Sequence, residues 1–318
     1  MSSIQVIKNN NIQIVQSMSS QNRVDDNLME RFIEYLDVKK NSSTTYKRAL
    51  KQFLIFLSIY QIGYPKTEDV KYFKNYLADK GLKPTTIQNY LNAVKLFFNW
   101  TEQEGLYKDI AKHVKPPKVS KEHKKDYFTD EQAKRLLDSI DTSTVIGKRD
   151  FAMIFLMITT GIRECEIVNA NIEDMRLLGN SIVLYILGKG RTEKAECVKV
   201  SGPVEQAIRI YLSYRKEYKP EDPMFVSAGN KNQNGRLNTR TIRRLKDNYF
   251  GKIGLKDKNH SIHSFRHTFV TLALVAGNDI TETQQAARHS SVNTTMIYNH
   301  ALEIEKNTCS EDVTNMVI

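Results

Sequence analysis

The chain has little that would indicate an exported, membrane-bound or disulfide-stapled protein. Its three cysteines are far apart and form no CxxC pair, so neither a disulfide framework nor a zinc site is expected. No apolar run approaches the roughly 20 residues needed to cross a bilayer. The opening MSSIQVIKNNNIQ also lacks the apolar core of a signal peptide. We therefore expect a cytoplasmic protein without membrane contact.

Motifs for nucleotides and metals are missing as well. GKGR at 188–191 lacks the rest of a GxxxxGK[ST] phosphate loop and is expected to join two strands. His263 and His267 are spaced as a metal pair, but zinc normally takes a third protein ligand, and there is no HExxH. We expect no cofactor and no metal.

Positive charge, by contrast, is in excess and unevenly distributed. The 318 residues carry a net charge of +11, and residues 1–125 alone hold 21 basic and 12 acidic side chains. Such a balance favours a polyanionic partner, usually nucleic acid, over the plain alternative of a charged, well-solvated surface. The later part of the chain is nearly neutral, so its basic residues are expected to have specific roles.

The hydrophobic pattern predicts a mainly α protein of two domains. Residues 26–114 contain four amphipathic stretches with short connections, which is typical of a small helical bundle. The segment 115–126, KPPKVSKEHKKD, reads as a basic, extended linker. Residues 127–300 are expected to be mostly helical with one small antiparallel sheet. A polar extension, 1–25, and a tail, 301–318, complete the chain.

Local signals place the elements of the second domain. Thr129 and Gln132 predict a capping box, and a long apolar helix should end at Gly161. SIVLYIL and ECVKVS are expected to be strands joined by GKGRTEK. Further helices are predicted at about 203–217, 239–249, 263–276 and 281–288, followed by a short helical piece near 292–299.

Several residues of the second domain have side chains suited to a phosphate. Arg163 and Glu166 would lie on one side of a helix start, where the carboxylate can orient the guanidinium. His263 and Arg266 are three residues apart and could supply a proton acceptor and a phosphate clamp. Lys189, at a hairpin tip, could donate a proton to a leaving alkoxide. Each signal alone is also typical of ordinary surface or core residues.

Tyr298, nine residues after His289, would be the nucleophile of such a set. A phenol has a pKa of about 10, so it attacks poorly unless its proton is accepted and cations make the phosphate electrophilic. An ordinary packed tyrosine is the alternative, as for most tyrosines.

The order and spacing of these motifs resemble the tyrosine recombinase (phage integrase) family. TGxRxxE, GKG on a hairpin, HxxRHTF and H-x8-Y with TTxxYxH are all present. YKRALKQFLIFL and TTIQNYLNAVKLFFNW resemble the family's core-binding, SAM-like domain, and FTDEQAKRLLDSID resembles the start of its catalytic domain. The likeness covers about residues 26–300 and favours an Xer-like enzyme or a small mobile-element integrase.

The resemblance implies a role for each residue. Arg163 and Arg266 would clamp the scissile phosphate, and Lys189 would protonate the leaving 5′-oxygen. His263 would handle the tyrosine proton and contact the phosphate, and His289 would hydrogen-bond a non-bridging oxygen. Glu166 and His267 would support these groups. Tyr298 would form a 3′-phosphotyrosyl intermediate, so that rejoining needs neither ATP nor metal.

One position departs from the family pattern. Ala287-Arg288 stands where the family usually has Leu-Gly before the histidine. Loss of that glycine removes backbone freedom and adds a cation. We expect either an altered turn or an additional phosphate contact from Arg288.

Outside the site, basic and hydroxyl side chains at helix starts are candidate DNA contacts. Together with Arg288, the candidates are Lys39, Lys40, Thr44, Arg48, Lys51, Lys83, Thr85, Thr86, Arg240, Arg243 and Arg244. For any one of them, a solvated surface charge is an equal alternative.

The resemblance further implies a homo-tetramer acting on two double-stranded DNA duplexes, with possible accessory directionality factors. The tail, in which Ala301, Leu302 and Ile304 favour a short helix, would either dock on a neighbouring protomer or fold back. Two other functions stay open at this point: strand relaxation like a type IB topoisomerase, and non-enzymatic DNA binding.

Overall fold

A computed structural model describes residues 24–38, 43–119, 126–188, 191–215, 217–229, 232–257, 259–296, 298 and 309–318. Lys39, Lys40, Lys189, the first 23 residues and the predicted helix at 301–304 lie outside these ranges. The chain divides between Lys121 and Glu122 into two compact units.

The first unit is the predicted bundle of four helices. They are α1 (Asp26–Val38), α2 (Ser43–Ile59), α3 (Thr67–Asp79) and α4 (Pro84–Gln103). Local capping explains two of the starts: Lys66 N–H donates to Asp69 Oδ2 at 2.7 Å, and Pro84 occupies the first turn of α4, where its missing N–H costs nothing.

Aromatic side chains fill the core of this unit. Phe53 packs edge-on against Phe73, with ring centroids 5.0 Å apart, and Phe32 lies 5.4 Å from Trp100. These four rings are at most 4% exposed. Burial of large rings is therefore the main stabilising contribution here.

The second unit begins with α5 (Asp130–Asp138), whose predicted capping box is present: Gln132 N–H donates to Thr129 Oγ1 at 3.2 Å and Thr129 N–H to Gln132 Oε1 at 3.0 Å. The other elements are α6 (Val145–Thr160), α7 (Glu164–Asn169), α8 (Gly202–Ser213), α9 (Thr239–Lys252), α10 (Ile262–Val275), α11 (Ile280–Ala287) and α12 (Cys309–Val317). Residues 292–296 are also helical.

A three-stranded antiparallel sheet lies between α7 and α8 in the chain. Its strands are β1 (Met175–Leu178), β2 (Ser181–Ile186) and β3 (Glu196–Lys199), in the order β1-β2-β3. The register pairs Leu184 with both Met175 and Val198. The predicted hairpin is β2–β3, while β1 was not predicted. The fold is mainly helical with a small sheet, as expected.

Two further boundaries concern the site. Gly161 ends α6 in the left-handed conformation, at φ 61°, as its position predicts. The helix predicted at 203–217 instead ends at Ser213. Within the described ranges, no helix has the length and apolar character to cross a membrane.

Candidate active site

Tyr298 is held in an apolar setting of the second unit. Its ring packs with Val270 and Leu274 of α10 and with Ala287 at the end of α11, and only 8% of the residue is exposed. The phenol oxygen contacts Nδ1 of His267. Burial raises the pKa of Tyr298, and the nearby charge of Arg266 opposes that shift only partly. The phenol is therefore protonated at rest.

Arg266 is buried, and its guanidinium is fixed on three sides. Nη1 donates to the carbonyl of Gly161 at 2.8 Å, Nη2 donates to the carbonyl of Ala287, and Nε donates to His289 Nε2 at 3.3 Å. Gly161 is required at its position, because a Cβ there would lie 2.7 Å from the ring of Phe269. Loss of hydration, followed by the charges of Arg163 and Arg288, lowers the pKa of Arg266 to about 10.

His289 is the neutral member of the site. Desolvation, and then the positive charge of Arg266, lowers its pKa to about 4. Because Nε2 accepts from Arg266, the proton lies on Nδ1, which donates to Thr295 Oγ1 at 2.8 Å. Thr295 is fully buried, so this bond fixes the plane of the imidazole.

Arg163 and Glu166 form the predicted pair at the start of α7. Arg163 Nη1 donates to Glu166 Oε1 at 2.8 Å, and the backbone N–H of Arg163 donates to Oε2 at 2.8 Å. Glu166 is completely buried, whereas 27% of the Arg163 side chain is exposed. The carboxylate therefore holds a guanidinium whose other edge faces solvent.

Arg288 joins the same carboxylate. Its Nη2 donates to Glu166 Oε2 at 2.7 Å, and only 9% of its side chain is exposed. The residue itself adopts the left-handed conformation, with φ 57°. The turn that a glycine would make is thus kept, and the guanidinium points inward. Neither expectation for Arg288 is what this arrangement shows: the turn is not altered, and the guanidinium is engaged by Glu166.

The two histidines of α10 have different surroundings. His263 is open to solvent, yet the protein around it still removes part of the hydration of its ring. This desolvation and the charges of Arg266 and Arg163 lower the pKa of His263, against an opposing effect of Glu164. His267, four residues and about one helical turn further along, is the histidine that reaches the phenol of Tyr298. Among the described residues, no three His, Cys, Asp or Glu side chains come together as metal ligands.

The described candidate DNA contacts of the first unit lie on or beside two neighbouring helices. Arg48 of α2 and the half-buried Thr86 of α4 line one groove of about 380 Å³, and Thr44, Lys51, Lys83 and Thr85 are exposed. In the second unit, Arg240, Arg243 and Arg244 are exposed on α9. Arg243 forms an ion pair with Glu164, the residue after Arg163.

Several partners in the site were not predicted. They are the carbonyls of Gly161 and Ala287, the hydroxyl of Thr295, and the carboxylates of Glu164 and Glu196. Thr295 alone had a signal in the sequence, since TTxxYxH places it three residues before Tyr298. Backbone carbonyls carry no such signal.

Two family profiles match the chain. The phage integrase family matches residues 126–304, and the N-terminal SAM-like domain of phage integrases matches residues 27–108. A solved structure of the XerH site-specific recombinase bound to palindromic difH substrate, in a post-cleavage complex, superposes with a TM-score of 0.70 at 22% identity. The match covers 85% of this chain and 80% of that one, and it is a likeness of fold.

Curated relatives show a likeness in sequence. Tyrosine recombinase XerC of Leptospira interrogans serogroup Icterohaemorrhagiae serovar copenhageni is 33% identical, across 85% of this chain and 87% of its own. Tyrosine recombinase XerC of Bacillus subtilis (strain 168) is 28% identical, across 89% and 94%. With the site geometry, these matches establish that the chain belongs to the phage integrase family and is a tyrosine recombinase.

Proposed function

We propose that this recombinase cuts one DNA strand per protomer by attack of Tyr298 on a phosphodiester held by Arg163 and Arg266. The supporting observation is a surplus of positive charge beside the phenol. Loss of hydration is the larger cause of the lowered pKa of Arg266 and of His289; in addition, Arg163 and Arg288 lower the pKa of Arg266, and all three arginines lower that of His289. Glu166 balances only part of this charge. A bound phosphate would relieve the repulsion, and guanidinium groups match its non-bridging oxygens.

The strand transfer balances without a cofactor. The oxygen of Tyr298 forms a bond to phosphorus while the bond from phosphorus to the 5′-oxygen breaks. The phenol proton is accepted by a base, and the 5′-oxygen takes up a proton, for which Lys189 is the proposed donor. The product holds the phosphodiester energy in a 3′-phosphotyrosyl bond, so the free 5′-hydroxyl of another strand can reverse the step.

The contact of His267 with the phenol makes His267 the first proton acceptor in this proposal. His263 was expected in that role, but it is exposed. Because the phenol is protonated at rest, deprotonation has to accompany attack, and an imidazole in hydrogen-bonding contact with the phenol is placed for general base catalysis. His263 keeps the proposed role of a phosphate contact beside Arg266.

Double-stranded recombination sites are the proposed substrate, and a homo-tetramer is the proposed assembly. Each chain supplies one nucleophilic tyrosine, and exchange between two duplexes requires four strand cuts, which four copies provide. We place this activity in the cytoplasm. Accessory factors would set the direction of exchange, and the tail beyond Tyr298 would link neighbouring protomers.

Two biological roles fit this activity. One is resolution of replicon multimers. The other is integration and excision of a mobile element, which the Arg288 departure and the polar extension favour. The same strand chemistry without site choice would be topoisomerase activity, and the likeness to recombinases argues against it.

Trapping of the covalent intermediate tests the proposal. The protein is incubated with sheared DNA that carries the region around its own gene, the reaction is stopped with detergent, and protein-linked fragments are recovered and their ends mapped. We expect one defined position per strand, 3′ linkage, and no adduct with Tyr298→Phe. Adducts at many unrelated positions would indicate a topoisomerase. Adducts of undiminished yield with Tyr298→Phe, or none with the unaltered protein, would overturn the proposal.

A further inference from the structure

Arg288 occupies a backbone position that glycine usually fills. Six helix ends in the described residues share one pattern: the left-handed residue donates its N–H to the carbonyl three residues back, and the next residue donates to the carbonyl five residues before itself. Four of these ends have glycine and two have larger residues; in chain order the six are Gln61, Gly81, Gly105, Gly254, Gly277 and Arg288. A side chain at such a φ costs roughly 1–2 kcal/mol, so the arginine is retained against a local penalty.

The side chain of Arg288 is also costly to bury. Only 9% of it is exposed, and its Nε has no hydrogen-bond partner within the described residues. The same Nε lies 3.9 Å from Oε2 of Glu196, at the start of β3. Arg288 therefore carries two local penalties, the left-handed φ and the buried guanidinium, although glycine would end the helix equally well. This indicates a function for the guanidinium itself.

That function follows from the carboxylate which Arg288 shares. Glu166 gives Oε1 to the guanidinium of Arg163, while Oε2 accepts from Arg288 Nη2 and from the Arg163 backbone. Arg288 is the only one of these donors that does not belong to Arg163, so it ties the carboxylate to a second point of the fold and restricts its rotation. The Arg163 guanidinium is therefore held by a fixed acceptor, and its exposed edge keeps one orientation.

We propose that Arg288 is a positioning residue for strand cleavage: it locks Glu166, which in turn aims Arg163 at the scissile phosphate. Arg288 does not touch the reacting atoms. This inference rests on the proposed function, and it adds a residue that stands where the family usually has glycine.

Arg288→Gly separates the guanidinium from the backbone, because glycine adopts the same turn without strain. The unaltered protein and the variant are compared on a nicked suicide duplex that carries the mapped cleavage site, under single-turnover conditions. We expect covalent adduct formation to slow by about 10- to 100-fold, since small displacements of a positioning group have effects of this size. The Kd for the duplex should stay within about twofold, because affinity for a long duplex is spread over many phosphate contacts and Arg288 is a single buried cation.

Rescue by a small cation separates a positioning role from a purely structural one, because the cleavage rate of Arg288→Gly should recover only if Arg288 positions Glu166. Methylguanidinium can enter the space that Arg288→Gly leaves beside Glu166, and we expect it to restore at least a third of the lost rate at millimolar concentration. Gln61→Gly is the matched control, because it relieves the same backbone conformation in the first unit with no ion pair. It should leave the cleavage rate and the response to methylguanidinium unchanged.

The inference is overturned if Arg288→Gly cleaves as fast as the unaltered protein. It is equally overturned if the slow variant melts at a lower temperature and gains nothing from methylguanidinium, since Arg288 would then only stabilise the fold. Failure of the proposed function has a different signature: Tyr298→Phe would still form the adduct.

Discussion

The second unit buries two carboxylates that each meet arginine, yet the two groups are built differently. In the first, which we call the balanced cluster (Arg149, Asp150 and Tyr249), every member is at most 6% exposed. Arg149 donates Nε and Nη2 to Asp150 Oδ1, at 2.8 and 2.7 Å, and Tyr249 donates to Oδ2 at 2.8 Å. The second, the site cluster, is Arg163, Glu166 and Arg288.

The difference lies in charge and access. One carboxylate meets one guanidinium in the balanced cluster, and Arg149 also donates Nη1 to the carbonyl of Val226 at 2.8 Å. In the site cluster one carboxylate meets two guanidinium groups, and one of these keeps an exposed edge. A closed, neutral cluster can stabilise the fold, whereas an open cluster with surplus positive charge can bind an anion. Composition alone would not separate them.

The largest expected effect tests the balanced cluster. Asp150→Asn leaves Arg149 as a buried, uncompensated charge, and we expect the free energy of unfolding of the second unit to fall by about 3–5 kcal/mol. Urea unfolding followed by circular dichroism measures this loss. Emission of Trp100, the single tryptophan, reports the first unit and should change at the same urea concentration as before. A tenfold drop in cleavage rate per folded molecule, without loss of stability, would contradict the structural assignment.

The next effect tests the site cluster. Arg163→Lys keeps a cation beside Glu166 but removes the fork that fits a phosphate. We expect the single-turnover cleavage rate to fall about 100-fold, equivalent to about 2.7 kcal/mol, and the unfolding free energy to change by less than about 1 kcal/mol. Arg209→Lys, in the exposed pair with Glu205, is the matched control. A rate close to that of the unaltered protein would remove Arg163 from the phosphate site.

The comparison also shows what the sequence could predict. Local signals were sufficient for the Thr129–Gln132 capping box, the left-handed Gly161 and the pairing of Arg163 with Glu166, because each depends on residues within a few positions. Strand β1 was missed because its four residues, MRLL, do not alternate between apolar and polar types. The structure agrees with this, since only Met175 of the four is partly buried.

Partners far apart in the chain could not be predicted. Glu166 and Arg288 are 122 positions apart, and nothing in either neighbourhood indicates the other. Which of His263 and His267 contacts Tyr298 could not be predicted either. The two side chains lie on nearly the same face of α10, and the packing of that helix decides which one meets the phenol. Helix α8 ends at Ser213, and Arg215 just beyond it donates Nη1 to the carbonyl of Pro223 at 2.5 Å, a contact that the sequence does not indicate.

The smallest effect concerns pH and follows from the desolvation of His289 and, after it, from the positive charges beside it. His289 has a pKa of about 4 in the folded chain, against about 6.5 for an unperturbed histidine. As pH falls below 6.5, the unfolded chain therefore binds the proton first. The stability associated with neutral His289 is complete above pH 6.5 and is lost progressively down to about pH 4.

Urea unfolding at pH 7 and pH 4.5 measures this loss. After allowance for partial solvent screening, we expect the unaltered protein to lose about 1–2 kcal/mol more than His289→Gln between these two values. His113→Gln, which removes an exposed imidazole from the first unit, should lose as much as the unaltered protein. Equal losses in all three proteins would mean that neither desolvation nor the arginines around His289 disfavour its charged form. The site would then be electrostatically balanced, like the cluster around Asp150, and would lack the surplus that favours a phosphate.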